Sequence, residues 1–391
     1  MIARISILII LGILLPDFYV ERHYLSRRPG WRWWKRVLWW LPSFFFVVAT
    51  AFFAQEPDFI PTDAKPLFLY LLTLGVVALP KAVFALCSLV GLGWCRLRHS
   101  RKNWGNLVGF FLALLSVYMV LYGSFVGPRH VEVRRHTITF EHLPKAFDGY
   151  RIVLFSDAHV GTFTQCMPEV MREAVDSINT QQADAIVFAG DLVNQEPSEL
   201  YPVQDLLRSL KARDGVFSVL GNHDYSDYID ADPIIKAAND KEMVSRQRQY
   251  GWQLLQNSHQ KVTRGADCIV FAGVEYERKK SEEQQPDIER TLADVDSGAF
   301  VIMVNHSPKT WRKRLLADER IALTLSGHTH GGQLELFGLR PSQWNHKEDF
   351  GLYTDGESRL LVTSGIGGVV PFRLGVAPEI VVITLRRGAR K

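Results

Sequence analysis

Thiols are scarce in this chain, with four cysteines among 391 residues, too few for a disulfide scaffold. Cys87 and Cys95 fall in or beside an apolar segment, while Cys166 and Cys268 lie far apart with no Cys-x-x-Cys spacing. That argues against a cysteine-bound structural zinc or an iron–sulfur cluster. Cys166 and Cys268 keep two readings, a bridge or two unpaired small apolar residues. A large basic surplus is lacking too. The net charge is +4, and the residues behind it sit in short loops between apolar segments, so they read as topology signals and no nucleic-acid partner is expected. Repeats and low-complexity tracts are absent, which excludes a repeat architecture.

Long apolar runs occur only in the first third. Met1 to Tyr19 is apolar apart from Arg4, but Pro16-Asp17 cuts it short of the roughly 20 residues a helical span needs. It reads as a first span over residues 1–20 or as an uncleaved signal-like anchor, since no small-residue cleavage site precedes a polar start. Segments 37–54, 67–93 and 107–126 are expected to cross a membrane. Arg22, Arg27, Arg28, Arg32, Lys35 and Arg36 crowd the first loop, and Arg96, Arg98, Arg101 and Lys102 the third; the loop between them carries Glu56, Asp58 and Asp63 against Lys65. The positive-inside rule makes the two basic loops cytoplasmic, so residues after Gly127 are expected outside the cytoplasm of a plasma (inner) membrane, with lipids as partners of the spans. Lys81, following Pro80 within the third apolar segment, is either functional or reaches a neighbouring helix or water through a helix break.

From Val131 onward the pattern becomes one of short apolar runs: 151–155, 185–189, 216–220, 268–272, 300–304, 321–325, 360–363 and 380–385. Helical patterns separate several of them, at 169–178, 200–210 and 241–255. This alternation predicts a layered α/β domain over 150–386 with a mixed sheet or two packed sheets. Residues 128–149 are expected to hold a connector and first strands, Lys279 to Pro286 a mobile surface loop, and 387–391 a basic tail.

Polar stretches stand where these strands end: Asp157 and His159, Asp191, Asn222 and His223, His306, then His328 and His330. Open α/β sheets place ligand sites at such carboxyl ends. Leaving His223 aside, two carboxylates, one amide and four imidazoles make an oxygen and nitrogen donor set suited to Mn, Fe or Zn. Seven donors exceed one tetrahedral site and fit two divalent metal ions sharing a bridging carboxylate, a pair that delivers a bridging hydroxide in line to phosphorus. Taken singly, each of these residues is more often a turn or cap. The reading rests on the set.

The order DxH, GD, GNH[DE], H, GHxH resembles the calcineurin-like metallophosphoesterase superfamily from about Tyr150 to Leu385. The resemblance implies an αββα sandwich, here preceded by an N-terminal helical transmembrane region. It implies that Asp157, His159, Asp191 and His330 hold one metal, and Asp191, Asn222, His306 and His328 the other. It makes His223 a proton donor toward the phosphoryl or leaving-group oxygen, with Asp224 placed to orient it. The GHTHGGQ stretch, Ser364-Gly365-Ile366-Gly367, Pro371, Arg373 and Pro378-Glu379-Ile380 are similar to a membrane-associated bacterial branch. Ala158 stands where a larger aliphatic residue is common, and Ser226 to Asp240 is longer than expected after GNHD. Arg373 is either a substrate-phosphate ligand or half of a structural salt bridge.

The expected function is hydrolysis of a phosphoester substrate, with diesters favoured over monoesters and a lipid-linked or envelope-derived molecule implied by the tether. The alternatives are a pyrophosphohydrolase of nucleotide-linked lipids and a catalytically silent membrane binding module. Intact donors argue against the latter.

Overall fold

The computed structural model of the chain describes residues 1–278 and 285–388. Most of the expected surface loop at Lys279 to Pro286, and residues 389–391 of the expected basic tail, lie outside the described residues. The chain divides into two compact units, Met1–Val126 and Gly127–Lys391.

The first unit is helical: α1 Ser6–Val20, α2 Trp33–Phe53, α3 Ala64–Arg98 and α4 Gly105–Phe125. Three of its helices are long and apolar enough to cross a membrane, over Trp33–Phe53, Ala64–Arg98 and Gly105–Arg129. They overlap the segments expected at 37–54, 67–93 and 107–126. The Asp63 side chain accepts the Lys65 amide at 3.0 Å and starts α3, while His99 ends it in the left-handed conformation at φ 52°. No break occurs at Pro80, because α3 runs through it. Lys81 instead reaches across to α1, where its Nζ lies 2.9 Å from an Asp17 carboxylate oxygen and 4.8 Å from the ring centre of Trp39. Ser43 donates to the same carboxylate. Asp17, which looked like a terminator of the first apolar run, is fully buried and joins α1 to α2 and α3.

The second unit is a sandwich of two six-stranded sheets. The first sheet runs β1 Glu132–Phe140, β12 Glu379–Arg387, β2 Arg151–Phe155, β3 Ala185–Phe188, β4 Val216–Ser218 and β5 Gln253–Leu254. The second runs β10 Gly351–Asp355, β11 Ser358–Val362, β9 Ile321–Ser326, β8 Phe300–Val304, β7 Asp267–Gly273 and β6 Ser258–Arg264. Within the first sheet β2, β3, β4 and β5 are mutually parallel, as are β7, β8, β9 and β11 in the second. Residues 128–149 contribute a strand of the fold itself, since β1 pairs in parallel with β12 from Glu132↔Glu379 to Phe140↔Arg387.

The central strands read as unbroken apolar runs because both of their faces are covered. Ile152 and Leu154 of β2 enter the core between the sheets, whereas Val153 and Phe155 face the outer core. The second sheet repeats this, with Ile269 and Phe271 inside and Val270 and Ala272 outside. Phe217 stacks on Phe271 across the middle, ring centres 4.1 Å apart. The remaining helices are α5 Val160–Cys166, α6 Pro168–Thr180, α7 Gln204–Arg208, α8 Pro233–Gln249, α9 Ile288–Thr291 and α10 Lys309–Arg314. Val170, Met171, Ala174 and Val175 of α6, with Met243 of α8, cover the first sheet, and Trp311 of α10 covers the second. The four layers are therefore αββα. The expected 241–255 helix begins earlier, at Pro233, where the Asp232 side chain accepts the Ile234 amide, and ends at Gln249 so that 253–254 form an edge strand. Most of the long segment after GNHD is thus the start of α8.

Replacing one half of a buried ion pair strands the other charge. Lys81→Met should cost the detergent-solubilised protein about 3 kcal/mol in stability, and Asp17→Leu added to it should recover most of the loss. A double variant no more stable than Lys81→Met in thermal unfolding would show that the pair does not hold the helices.

Candidate metal centre

Five parallel strands deliver the donors. Asp157 and His159 follow β2, Asp191 follows β3, Asn222 follows β4, His306 follows β8, and His328 and His330 follow β9. Each chain must turn sharply out of its sheet while aiming a side chain inward, and the backbone strains accordingly. Asp157, His159, Asp191, His328 and His330 all adopt left-handed φ, between 44° and 75°. Such conformations cost non-glycine residues about 1 kcal/mol or more each and concentrate at functional sites. Gly190, at φ 92°, has a different reason. A Cβ there would lie 2.6 Å from the Gly221 amide nitrogen and 2.7 Å from His306 Nδ1, so only glycine lets these loops touch.

Two three-residue clusters result, Asp157 with His159 and His330, and Asp191 with His306 and His328, each with ligand atoms within 4.8 Å of one another. Asp191 Oδ2 lies 3.1 Å from His306 Nε2 in its own cluster and 3.8 Å from His159 Nε2 in the other. Asn222 Oδ1 lies 3.2 Å from His306 Nε2, which is also 3.1 Å from His328 Nδ1. His330 Nε2 stands 3.5 Å from Asp157 Oδ1. Sequence-predicted donors from both sheets are therefore brought together, with Asp191 between the clusters.

The donor set fits two cations on its own chemistry. Both ring nitrogens of His159 and Nδ1 of His330 are buried without a hydrogen-bond partner, a cost proteins rarely carry without a ligand to offset it. Burial drives His159 down to about 3, with the His223 charge adding to the effect. His328 and His330 are likewise held well below the usual imidazole range, burial first and neighbouring imidazoles second. Three imidazoles thus keep free lone pairs. For His306 burial is outweighed by Asp191 and the ring is pushed up to about 9, while Asp191 is held ionised by His306 and His223 against its own desolvation. The imidazolium there carries positive charge of the kind a metal cation would bring.

His223 approaches from the side, its ring centre 4.9 Å from that of His159. Its Nδ1 donates to the Asn194 carbonyl at 2.6 Å, and its amide donates to Asp191 Oδ1 at 2.8 Å. Asp224, expected to orient this ring, acts elsewhere. Its carboxylate accepts the amides of Asp191, Leu192, Val193 and Gly221 at 2.7 to 3.3 Å, which locks the β3 and β4 exit loops together.

Arg373 fits neither of its two expected roles. It is 1% exposed, and its terminal nitrogens donate to the carbonyls of His330, Ser364, Gly365 and Gly367. The guanidinium clamps the His328–His330 turn to the loop after β11 and presents nothing to a substrate.

Other residues at the site carried no signal in the sequence. Tyr228 stacks on His223 at 4.3 Å and 8° and accepts from Asn222 Nδ2 at 2.9 Å, so one side chain braces a donor and the neighbouring imidazole. Tyr276 lies 5.8 Å from both His306 and His328, and His346 lies 5.7 Å from His328. Glu199 accepts the amides of Asn194, Gln195 and Glu196, holding the carbonyl that orients His223. Only this last was legible in principle, because Glu196-Pro197-x-Glu199 is a helix-start pattern.

Two family models match the chain: "Calcineurin-like phosphoesterase" over residues 150–332, and "Probable Calcineurin-like phosphoesterase, transmembrane domain" over residues 3–128. An uncharacterized metallophosphoesterase of Bacillus subtilis, YkuE, is 31% identical over 274 residues, covering 68% of this chain and 89% of that protein. An uncharacterized metallophosphoesterase of Helicobacter pylori strain J99 is 29% identical over 299 residues, covering 74% of this chain and 72% of the relative. A transmembrane protein with metallophosphoesterase domain from Danio rerio is 31% identical over 288 residues, covering 70% and 61%.

Arg373→Met would take the donor from the Ser364 and Gly367 carbonyls, while His330 and Gly365 keep the amides of Gln333 and Glu379. It should destabilise the protein by about 3 kcal/mol, and Arg373→Lys should recover less than half of that in urea unfolding, because one ammonium cannot span the four carbonyls. Full recovery by lysine would refute the clamp.

Proposed function

The chain belongs to the calcineurin-like phosphoesterase family, and we propose that it is a membrane-bound phosphodiesterase acting on lipid-linked or envelope-derived substrates. One observation carries the reading: Asp191 Oδ2 stands between two buried donor clusters, 3.1 Å from His306 Nε2 in one and 3.8 Å from His159 Nε2 in the other. Asp157, His159, Asp191 and His330 would hold one divalent cation, and Asp191, Asn222, His306 and His328 the other. When bound, such a pair supplies Lewis-acid charge and an activated water to phosphorus; nitrogen and oxygen donors without thiolate favour Mn, Fe or Zn.

The remaining work falls to the protein. His223, its ring oriented by the Nδ1–H bond to the Asn194 carbonyl, would exchange a proton with the leaving oxygen as general acid. Tyr228 and the Glu199-supported loop hold that ring in place. Arg373, whose charge His159 and His330 feel, is spent on carbonyls. Its commitment favours a substrate with one phosphoryl charge, a diester, over a dianionic monoester. The basic loops at residues 21–36 and 94–106 support a plasma (inner) membrane, multi-pass topology with the catalytic unit outside the cytoplasm.

Full-length protein should hydrolyse bis(p-nitrophenyl) phosphate faster than p-nitrophenyl phosphate when loaded with Mn²⁺, Fe²⁺ or Zn²⁺. Asp191→Asn should lose bound metal by elemental analysis along with activity. His223→Ala should keep its metal while kcat falls on the order of 10²-fold or more; metal loss in this variant would make His223 a ligand. A reporter fused after Lys391 should be active only outside the cytoplasm. A cytoplasmic signal would overturn the topology.

A further inference from the structure

Beyond residue 332, where the match to the phosphoesterase family model ends, the chain forms a small hairpin whose tip the fold does not use. Leu336 and Leu339 exchange backbone hydrogen bonds of 3.0 Å, and the two residues between them, Phe337 and Gly338, sit at φ 54° and 79°. Both central positions of this turn are left-handed, a geometry that favours Asn-Gly and penalises a bulky aromatic. Phe337 nonetheless occupies the apex and is fully exposed at 104%, beside Leu339 at 72%, with Trp344 at 86% on the turn that follows. Among the described residues of this unit, Leu336, Phe337, Leu339 and Trp344 bring four exposed large hydrophobic residues into one short stretch, against the pair Ile234 and Ile235 elsewhere.

The tip is presented on a stiff base. Arg340 bonds Glu335 at 2.6 Å across the hairpin and grips the Asp349 carboxylate at 2.7 and 3.1 Å. The Asp349 carbonyl accepts the hydroxyl of Thr329, the residue between His328 and His330. Leu374 ties the other side, its amide donating to Gln333 at 2.9 Å and its carbonyl accepting from Glu335 at 2.7 Å. The hairpin is therefore built as a rigid extension of the turn that carries two metal donors.

We propose that this hairpin, through Leu336, Phe337, Leu339 and Trp344, seats the catalytic unit on the surface of a lipid bilayer, so that the phosphoester of a lipid is offered to the metal centre. Apolar and aromatic residues on an exposed apex, with Lys347 nearby, have the composition of an interfacial anchor. The occupant follows from the chain itself. It carries three helices able to cross a membrane, and only residues 126–131 separate α4 from β1, so a bilayer is the partner this unit always has. The purpose assigned to the hairpin rests on the membrane-bound phosphoesterase reading; its geometry does not.

The test uses the full chain with its four cysteines replaced by serine and a single Phe337→Cys carrying an environment-sensitive fluorophore, reconstituted into phosphatidylethanolamine and phosphatidylglycerol vesicles. Nitroxide-bearing lipids should quench this label about threefold more than the same label at Glu357→Cys, aqueous iodide should quench it less, and adding Leu336→Asp with Leu339→Asp should erase both differences. Equal access of iodide to the two positions, or shielding of position 337 from both quenchers as a protein partner would give, overturns the proposal. Hydrolysis of bis(p-nitrophenyl) phosphate by the same samples reports separately on the enzymatic reading, since that soluble ester does not need the bilayer.

Discussion

The buried carboxylate of Asp191 is the constraint on which the catalytic unit depends. An anion at 1% exposure must be matched by positive charge, and among the described residues no lysine or arginine pairs with it; imidazoles from both sheets surround it instead. His306 belongs to the second sheet and His159 to the first, so the charge balance of one oxygen requires both sheets to end at the same place. Phe217 of one sheet stacks on Phe271 of the other within the core that joins the two.

Strain is the cost of that convergence. Five donor residues hold left-handed backbone conformations, and each would relax if its loop were free. The loops are held by buried polar groups whose partners are main-chain atoms. Asp224 collects four amides across the β3 and β4 exits, and Arg373 collects four carbonyls across the β9 and β11 exits. The two devices are complementary, an anion for backbone donors and a cation for backbone acceptors, and both follow from the need to satisfy every buried backbone group. The same logic operates in the helical unit, where the fully buried Asp17 carboxylate is met by Lys81 and by the Ser43 hydroxyl.

The chain in sequence carried much of this without a structure. Short apolar runs ending in Asp, Asn and His located β2, β3, β8 and β9 and their donors, because a strand buried on both faces leaves no polar residue until it reaches its end. The apolar segments of the first third located α2, α3 and α4 for the same reason of burial, here expected to be in lipid. Less was legible where partners are distant. The start of α8 was masked by its polar surface, although Asp232-Pro233 marks it. Asp224 took its expected role from the resemblance and Arg373 stayed between a substrate phosphate and a salt bridge, because nothing local reveals that their partners are main-chain atoms.

The sequence by itself determined which residues could bind metal and that the first third could enter a membrane, since donor type and apolar length are properties of the chain alone. Only the tertiary structure decided that Asp191 lies between two clusters, that Asn194 rather than Asp224 orients His223, that Tyr228 braces the site, and that Phe337 stands exposed on a stapled hairpin. Those facts depend on distances between residues far apart in the chain, fixed by the packing of two sheets and invisible to spacing or composition.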